Sequence, residues 1–189
     1  MKTILWTVAV LTLLAVPASA QDAGKGNPTV VIKTSKGEIE AVLYRDKAPI
    51  TVDNFLKYVE DGFYSGTIFH RVIAGFMIQG GGFNRYYTQR PTRPPIKNEA
   101  ANGLKNERGT LAMARTSDVD SATSQFFINV VDNVPLNHGV RDYGYAVFGR
   151  VTKGMDVVDA IASVATGPQG PFSSDVPRTA VVIESIRVK

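Results

Sequence analysis

Short β-branched runs separated by turn residues make up most of the chain from Thr29 onward, and only two stretches carry helical spacing. Thr29 to Lys33 and Glu38 to Leu43 flank Thr34-Ser35-Lys36-Gly37, a pattern that predicts a hairpin. From Pro49 to Asp61, residues Val52, Phe55, Leu56 and Val59 fall at i, i+3, i+4 and i+7, with Gly62 placed to end a helix. Ile68 to Val72 and Phe76 to Gln79 predict strands joined at Ala74-Gly75, and Gly80-Gly81-Gly82 predicts a sharp exit from the second. Arg90 to Pro95 contains three prolines and predicts loop. Thr110 to Ala114, Gln125 to Val130 and Tyr145 to Val151 predict three more strands. Lys153 to Ala162 predicts a shorter helix with Val157, Val158 and Ile161 inward, then Gly167 to Pro177 a loop and Ala180 to Val188 a closing strand. Without regular βα alternation, these elements predict an all-β domain, a barrel or sandwich capped by the two helices.

The segment FHRVIAGFMIQGG, Phe69 to Gly81, sets one arginine and one glutamine among apolar residues. A guanidinium is always charged and carries five donors in a rigid fork, so an apolar setting is costly without a partner or ligand. Arg71 with Phe76, Met77 and Gln79 therefore predicts an apolar pocket with a hydrogen-bonding rim. Alternation along a strand puts Met77 and Gln79 on one face and Ile78 on the other. Along the later strand it groups Gln125, Phe127 and Asn129 against Phe126, Ile128 and Val130. Phe127 is then a candidate pocket wall and Phe126 a core residue.

Composition narrows the chemistry. Lys2, the apolar run Ile4 to Val16 and the small-residue site Ala18-Ser19-Ala20 predict a secretory signal peptide over residues 1–20, cleaved before Gln21. The run is short for a membrane anchor, and no later segment reaches spanning length. Removing the leader takes away one positive charge from a net +4. Residues 21–28 predict a short linker, and residues 29–189 one domain. The basic stretch Arg85 to Lys97 is broken by prolines and predicts solvated surface, not a nucleic-acid groove. Cysteine is absent, which excludes thiol catalysis and thiolate metal sites.

Four motifs in order, FHRVIAGFMIQGG, GTLAMAR (Gly109 to Arg115), SQFFIN (Ser124 to Asn129) and YAVFGRV (Tyr145 to Val151), resemble the cyclophilin-type peptidyl-prolyl isomerases. The similarity runs from about Thr29 to the C-terminus. The leader and the PPIKNEA segment (Pro94 to Ala100) are most similar to the bacterial periplasmic branch. The resemblance implies a closed eight-stranded antiparallel barrel with a helix over each end, a groove on its outer surface, and no cofactor or metal. It implies a catalytic role for Arg71, supported by Gln79 and Phe76. It implies a proline pocket of Phe76, Met77, Phe127 and Leu136, and further substrate contacts at Ala114, Arg115, Gln125 and Tyr145. An asparagine is commoner in the family where Arg115 stands. Pro135 replaces a tryptophan of the best-known eukaryotic members, which implies weak cyclosporin binding, and Tyr145 replaces a histidine. The expected partners are proline-containing unfolded or newly exported polypeptides, met by a monomer in the periplasm.

Other polar residues have plainer readings. His70 predicts a buried structural histidine, and His138 a loop position near the pocket rim. Ser121 and Ser124 lack a nucleophile elbow and predict a turn and a groove edge. Asp118, Asp120, Asp132 and Asp142 predict solvated loop acids. Two alternatives to an isomerase stay open: a proline-peptide binding module or holdase, and an interaction scaffold using the Arg85 to Lys97 loop.

Overall fold

The computed structural model describes residues 26–189, so the predicted leader lies outside the described residues. Eight strands close into an antiparallel barrel: β1 (Thr29–Thr34), β2 (Gly37–Leu43), β3 (Thr67–Ile73), β4 (Met77–Asn84), β5 (Thr110–Met113), β6 (Phe126–Asn129), β7 (Val147–Lys153) and β10 (Val182–Val188). Their order around the barrel is β1-β10-β3-β4-β6-β5-β7-β2. The remaining strands, β8 (Thr166–Gln169) and β9 (Phe172–Pro177), form a separate two-stranded hairpin. The stretch read as loop over Gly167 to Pro177 is thus a β-hairpin. Gly170 supplies its turn at a positive φ of 51°, and Gln169 pairs with Phe172 across it. Its residues are mostly exposed or half-buried, so no alternating core face marked them as strand.

Helix α1 (Pro49–Glu60) drives Phe55 into the barrel interior, where its ring lies 5.1 to 5.5 Å from those of Tyr64, Phe126 and Phe148. Ala48 at the N-cap has no side-chain acceptor, and Glu99 from a distant loop does that work. Its carboxylate accepts from the Ile50 and Thr51 backbone at 3.1 and 2.7 Å, and from the Thr51 hydroxyl at 2.6 Å. Helix α2 (Met155–Ala162) adds Val158 and Ile161 to the same apolar cluster. It starts two residues later than its spacing suggests, because Gly154 at φ 85° turns the chain into it. Val157, expected inward, is half-buried.

Two irregularities matter for function. The triple glycine does not end β4 but lies within it, as a bulge: Thr67 pairs with Asn84, yet Phe69 pairs with Gly80. Gly81 sits at φ 82°, and a Cβ there would lie 2.9 Å from Tyr64 and 3.1 Å from Phe126, so the strand passes over these rings only without a side chain. In β3, Phe69 faces Gly80 and Arg71 faces Gln79, which makes His70 the additional residue of a second bulge. Phe69 and Val72, three apart, consequently both point into the barrel.

Candidate active site

Strict alternation from Phe69 would carry Arg71 into the barrel interior with it. The bulge at His70 turns Arg71 to the outside, where it is exposed. The apolar burial expected for this guanidinium is therefore not what the fold provides; its apolar neighbours in sequence belong largely to the opposite face. The Arg71 guanidinium makes no hydrogen bond or salt bridge among the described residues, and it lines a cup with apolar walls and a polar rim.

That cup grows from a row of cross-strand partners. Arg71 on β3 pairs with Gln79 on β4, Gln79 with Phe127 on β6, Phe127 with Ala112 on β5, and Ala112 with Val147 on β7. Neighbouring strands stand about 4.8 Å apart, so the row spaces a cation, an amide and an aromatic ring evenly along one outer face. Met77, Ala112, Phe127 and Val147 form a small buried cluster outside the barrel core, with Phe76, Leu136 and Tyr145 packed on it. The resulting cavity, about 100 Å³, is lined by Arg71, Phe76, Met77, Gln79, Ala114, Arg115, Phe127, Leu136 and Tyr145. Phe126, one residue from Phe127, faces the barrel core instead.

Of the residues expected to act in catalysis or substrate binding, Gln125 alone does not line this cup. It accepts a hydrogen bond from Gln79 Nε2 at 2.9 Å and borders two adjoining cavities. Arg115 lines the cup but is fully engaged. It donates from Nε to Gly144 O at 3.0 Å and from the terminal nitrogens to Thr116 O and Asp142 at 2.9 and 3.0 Å. Its guanidinium also lies 4.7 Å from the Tyr145 ring centre. Tyr145 in turn meets Phe127 edge-on at 5.7 Å. Asp142, read as a solvated loop acid, is therefore a structural partner. Pro135 lies in the exposed turn Val134–Leu136, beside Leu136.

A set of buried asparagines escaped the sequence reading. Asn129, grouped with Phe127 by alternation, is wholly buried and donates to Asn106 Oδ1 and Thr110 Oγ1. Asn133 donates to Asn129 Oδ1 at 2.6 Å and to Phe76 O at 2.8 Å. Asn106 donates to Leu136 O and Tyr145 O, and its backbone N–H reaches Asn137 Oδ1. Three walls of the cup, Phe76, Leu136 and Tyr145, are thus held by their backbones in one amide network. The only hint in the sequence was the four-residue spacing of Asn129, Asn133 and Asn137; Asn106 lies far upstream.

His70 is buried as expected, but its Nδ1 has no hydrogen-bond partner. Burial pushes the imidazole down to about 4 from 6.5, and the neighbouring Arg71 charge adds to this. His138 lies outside the cup and binds Tyr143 O through Nδ1. Ser121 closes a turn with Thr116 and Asp118, whereas Ser124 is fully buried, not a groove edge.

The closed antiparallel barrel thus carries on its outer surface an open cup with Arg71 at its lip. Residues 29–188 match the family model described as cyclophilin type peptidyl-prolyl cis-trans isomerase/CLD. The chain is 56% identical over 181 residues to peptidyl-prolyl cis-trans isomerase A of Dickeya dadantii, covering 95% of each. It is 58% identical over 162 residues to peptidyl-prolyl cis-trans isomerase B of Escherichia coli, covering 84% of this chain and 98% of that one. A crystal structure of a cyclophilin type isomerase from Cryptosporidium parvum, in the presence of the dipeptide Ala-Pro, aligns with TM-score 0.69 at 28% identity. That alignment covers 85% of this chain and 98% of the other. The chain belongs to the cyclophilin-type peptidyl-prolyl cis-trans isomerases, a family of enzymes.

Proposed function

We propose that the cup receives the proline ring of an X-Pro segment and that Arg71 lowers the barrier to rotation about the preceding amide. Resonance sets that barrier at about 18–20 kcal/mol. At the twisted transition state the prolyl nitrogen becomes pyramidal and regains its lone pair. A donor aimed at that nitrogen binds the twisted form more tightly than either planar isomer. The observation that carries the reading is the pairing of an apolar cup with a guanidinium that has no partner among the described residues. No nucleophile, proton transfer or metal enters the step.

Phe76, Met77, Phe127 and Leu136 hold the ring, while Gln79, steadied by Gln125, holds the substrate backbone next to Arg71. The backbone at Ala114 and Arg115 meets the residue preceding proline, and the anchored Arg115 side chain keeps Tyr145 at the rim. A preorganised donor in a site that the bound substrate closes to water is worth about 3–4 kcal/mol, a few powers of ten in rate. The leader sequence supports a role on newly exported polypeptides in the periplasm. The exposed Pro135 beside Leu136 supports weak cyclosporin binding.

Cis-to-trans relaxation of a short X-Pro peptide tests this. Wild type should accelerate it, and Arg71→Ala should lower kcat/KM by roughly 10²–10³. Arg71→Lys should recover little, since a point charge lacks the fork. No acceleration by wild type would leave only a binding module; full activity in Arg71→Ala would remove Arg71 from the mechanism.

A further inference from the structure

The cup opens into a second, larger cavity of about 490 Å³ that shares Arg71, Gln79 and Arg115 with it. Its far wall is β9, with Phe172, Ser173, Ser174 and Asp175. The aromatic side is built from Phe172, 5.0 Å from Phe83 and 5.5 Å from His70. Because the His70 imidazole stays uncharged near neutral pH, this wall presents aromatic surface and adds no cation of its own. Asp175 makes no salt bridge among the described residues, and the Ser174 hydroxyl donates to its Oδ2 at 2.9 Å.

Backbone strain gathers in the same corner. Among the described residues, the non-glycine positions with positive φ are Tyr87 at 61° and Asp175 at 64°. Tyr87 packs its ring 6.3 Å from Phe172, and Asp175 lines the cavity itself. Such conformations persist where the surrounding structure holds them, and they gather at ligand sites.

We propose that this cavity is a subsite for a lysine or arginine side chain of the substrate, within two residues of the proline. The aliphatic stem lies along Phe172 and the cationic head pairs with Asp175. The proposal rests on the reading of the cup as the proline site. Of the two arginines that also line the cavity, Arg115 is already paired with Asp142. Arg71 is therefore the competing charge: an acidic side chain here is drawn to Arg71 and takes its donors from the prolyl nitrogen.

The test uses Ala-Pro peptides carrying Lys, Gln or Glu in turn at each of two positions on either side of the proline, with affinity read by NMR titration. At low salt, wild type should bind one lysine peptide about fivefold more tightly than its glutamine analogue. Raising salt to about 0.5 M should shrink this preference, as should Asp175→Asn, in which asparagine tolerates the left-handed backbone. Asp175→Gly, which removes both charge and strain, serves as a second variant, and an all-alanine reference peptide should bind all three proteins alike. Equal affinity for lysine and glutamine peptides at every position in wild type, or a preference that survives both variants, overturns the proposal. Titration needs no turnover, so a charge preference without rate acceleration sinks the catalytic reading and leaves the subsite standing.

Discussion

The inner and outer faces of the same strands are built to opposite ends. Inside, Phe69, Ile78, Phe126 and Ile128 are wholly buried in one apolar cluster. Outside, on those same β3, β4 and β6 strands, Arg71 and Gln79 stand beside Met77 and Phe127 with hydrogen-bonding capacity left over. The interior gains stability by completing every contact. The exterior keeps an incomplete set of contacts that a substrate can finish, and that incompleteness is tolerable only because the face is open to water.

The sharpest way to break this comparison is to exchange the two failures. Phe126→Ala removes a ring packed on Phe55, Tyr64 and Phe69, and should cost about 3–5 kcal/mol in urea unfolding. Molecules that remain folded should keep most of their isomerase rate. Arg71→Ala should do the reverse, leaving stability within about 0.5 kcal/mol. Should Phe126→Ala instead cost activity and spare stability, the division into packed and functional faces is wrong.

His70 lies between the two regions and should show a smaller effect, visible with pH. Its folded pKa of about 4 lies below the ordinary 6.5, so between those values the unfolded chain binds a proton that the folded one does not. Stability should therefore fall as pH drops from about 6.5 to 4, by about 3 kcal/mol in all. His70→Phe should flatten that slope, and an unchanged slope would mean the imidazole is not protected from protonation.

The smallest expected effect is on the cap of α1. Glu99→Ala leaves the Ile50 and Thr51 donors without their acceptor and should cost about 1 kcal/mol by thermal or urea unfolding. Isomerase rate should not change, since Glu99 does not border the cup. A rate loss larger than the stability loss would tie this loop to the groove.

Much of the fold is legible in the residues taken in order. The spacing of Val52, Phe55 and Leu56 marks α1, and alternation separates Phe126 from Phe127 and Ile78 from Met77 correctly. The motifs around Arg71, Ala114, Phe127 and Tyr145 point to one site, and the fold brings those residues to one cup. Less legible were features whose cause lies on another strand. The glycines of β4 read as an exit because their reason, the rings of Tyr64 and Phe126 beneath, is not local. The β8–β9 hairpin read as loop because it is held by backbone pairing, by Phe172 against His70 and Phe83 and by Val176 at its end, not by an alternating buried face.

Side-chain alternation, helical spacing and residue chemistry are properties of neighbours in the chain, so the amino-acid order alone determined the barrel strands, the two helices and the chemical character of the site. Only the closed barrel decided that His70 would bulge and Arg71 turn outward, and that four distant asparagines would share their hydrogen bonds under the cup. Register and the pairing of buried polar groups depend on which strand lies alongside, and that partner is chosen when the barrel closes.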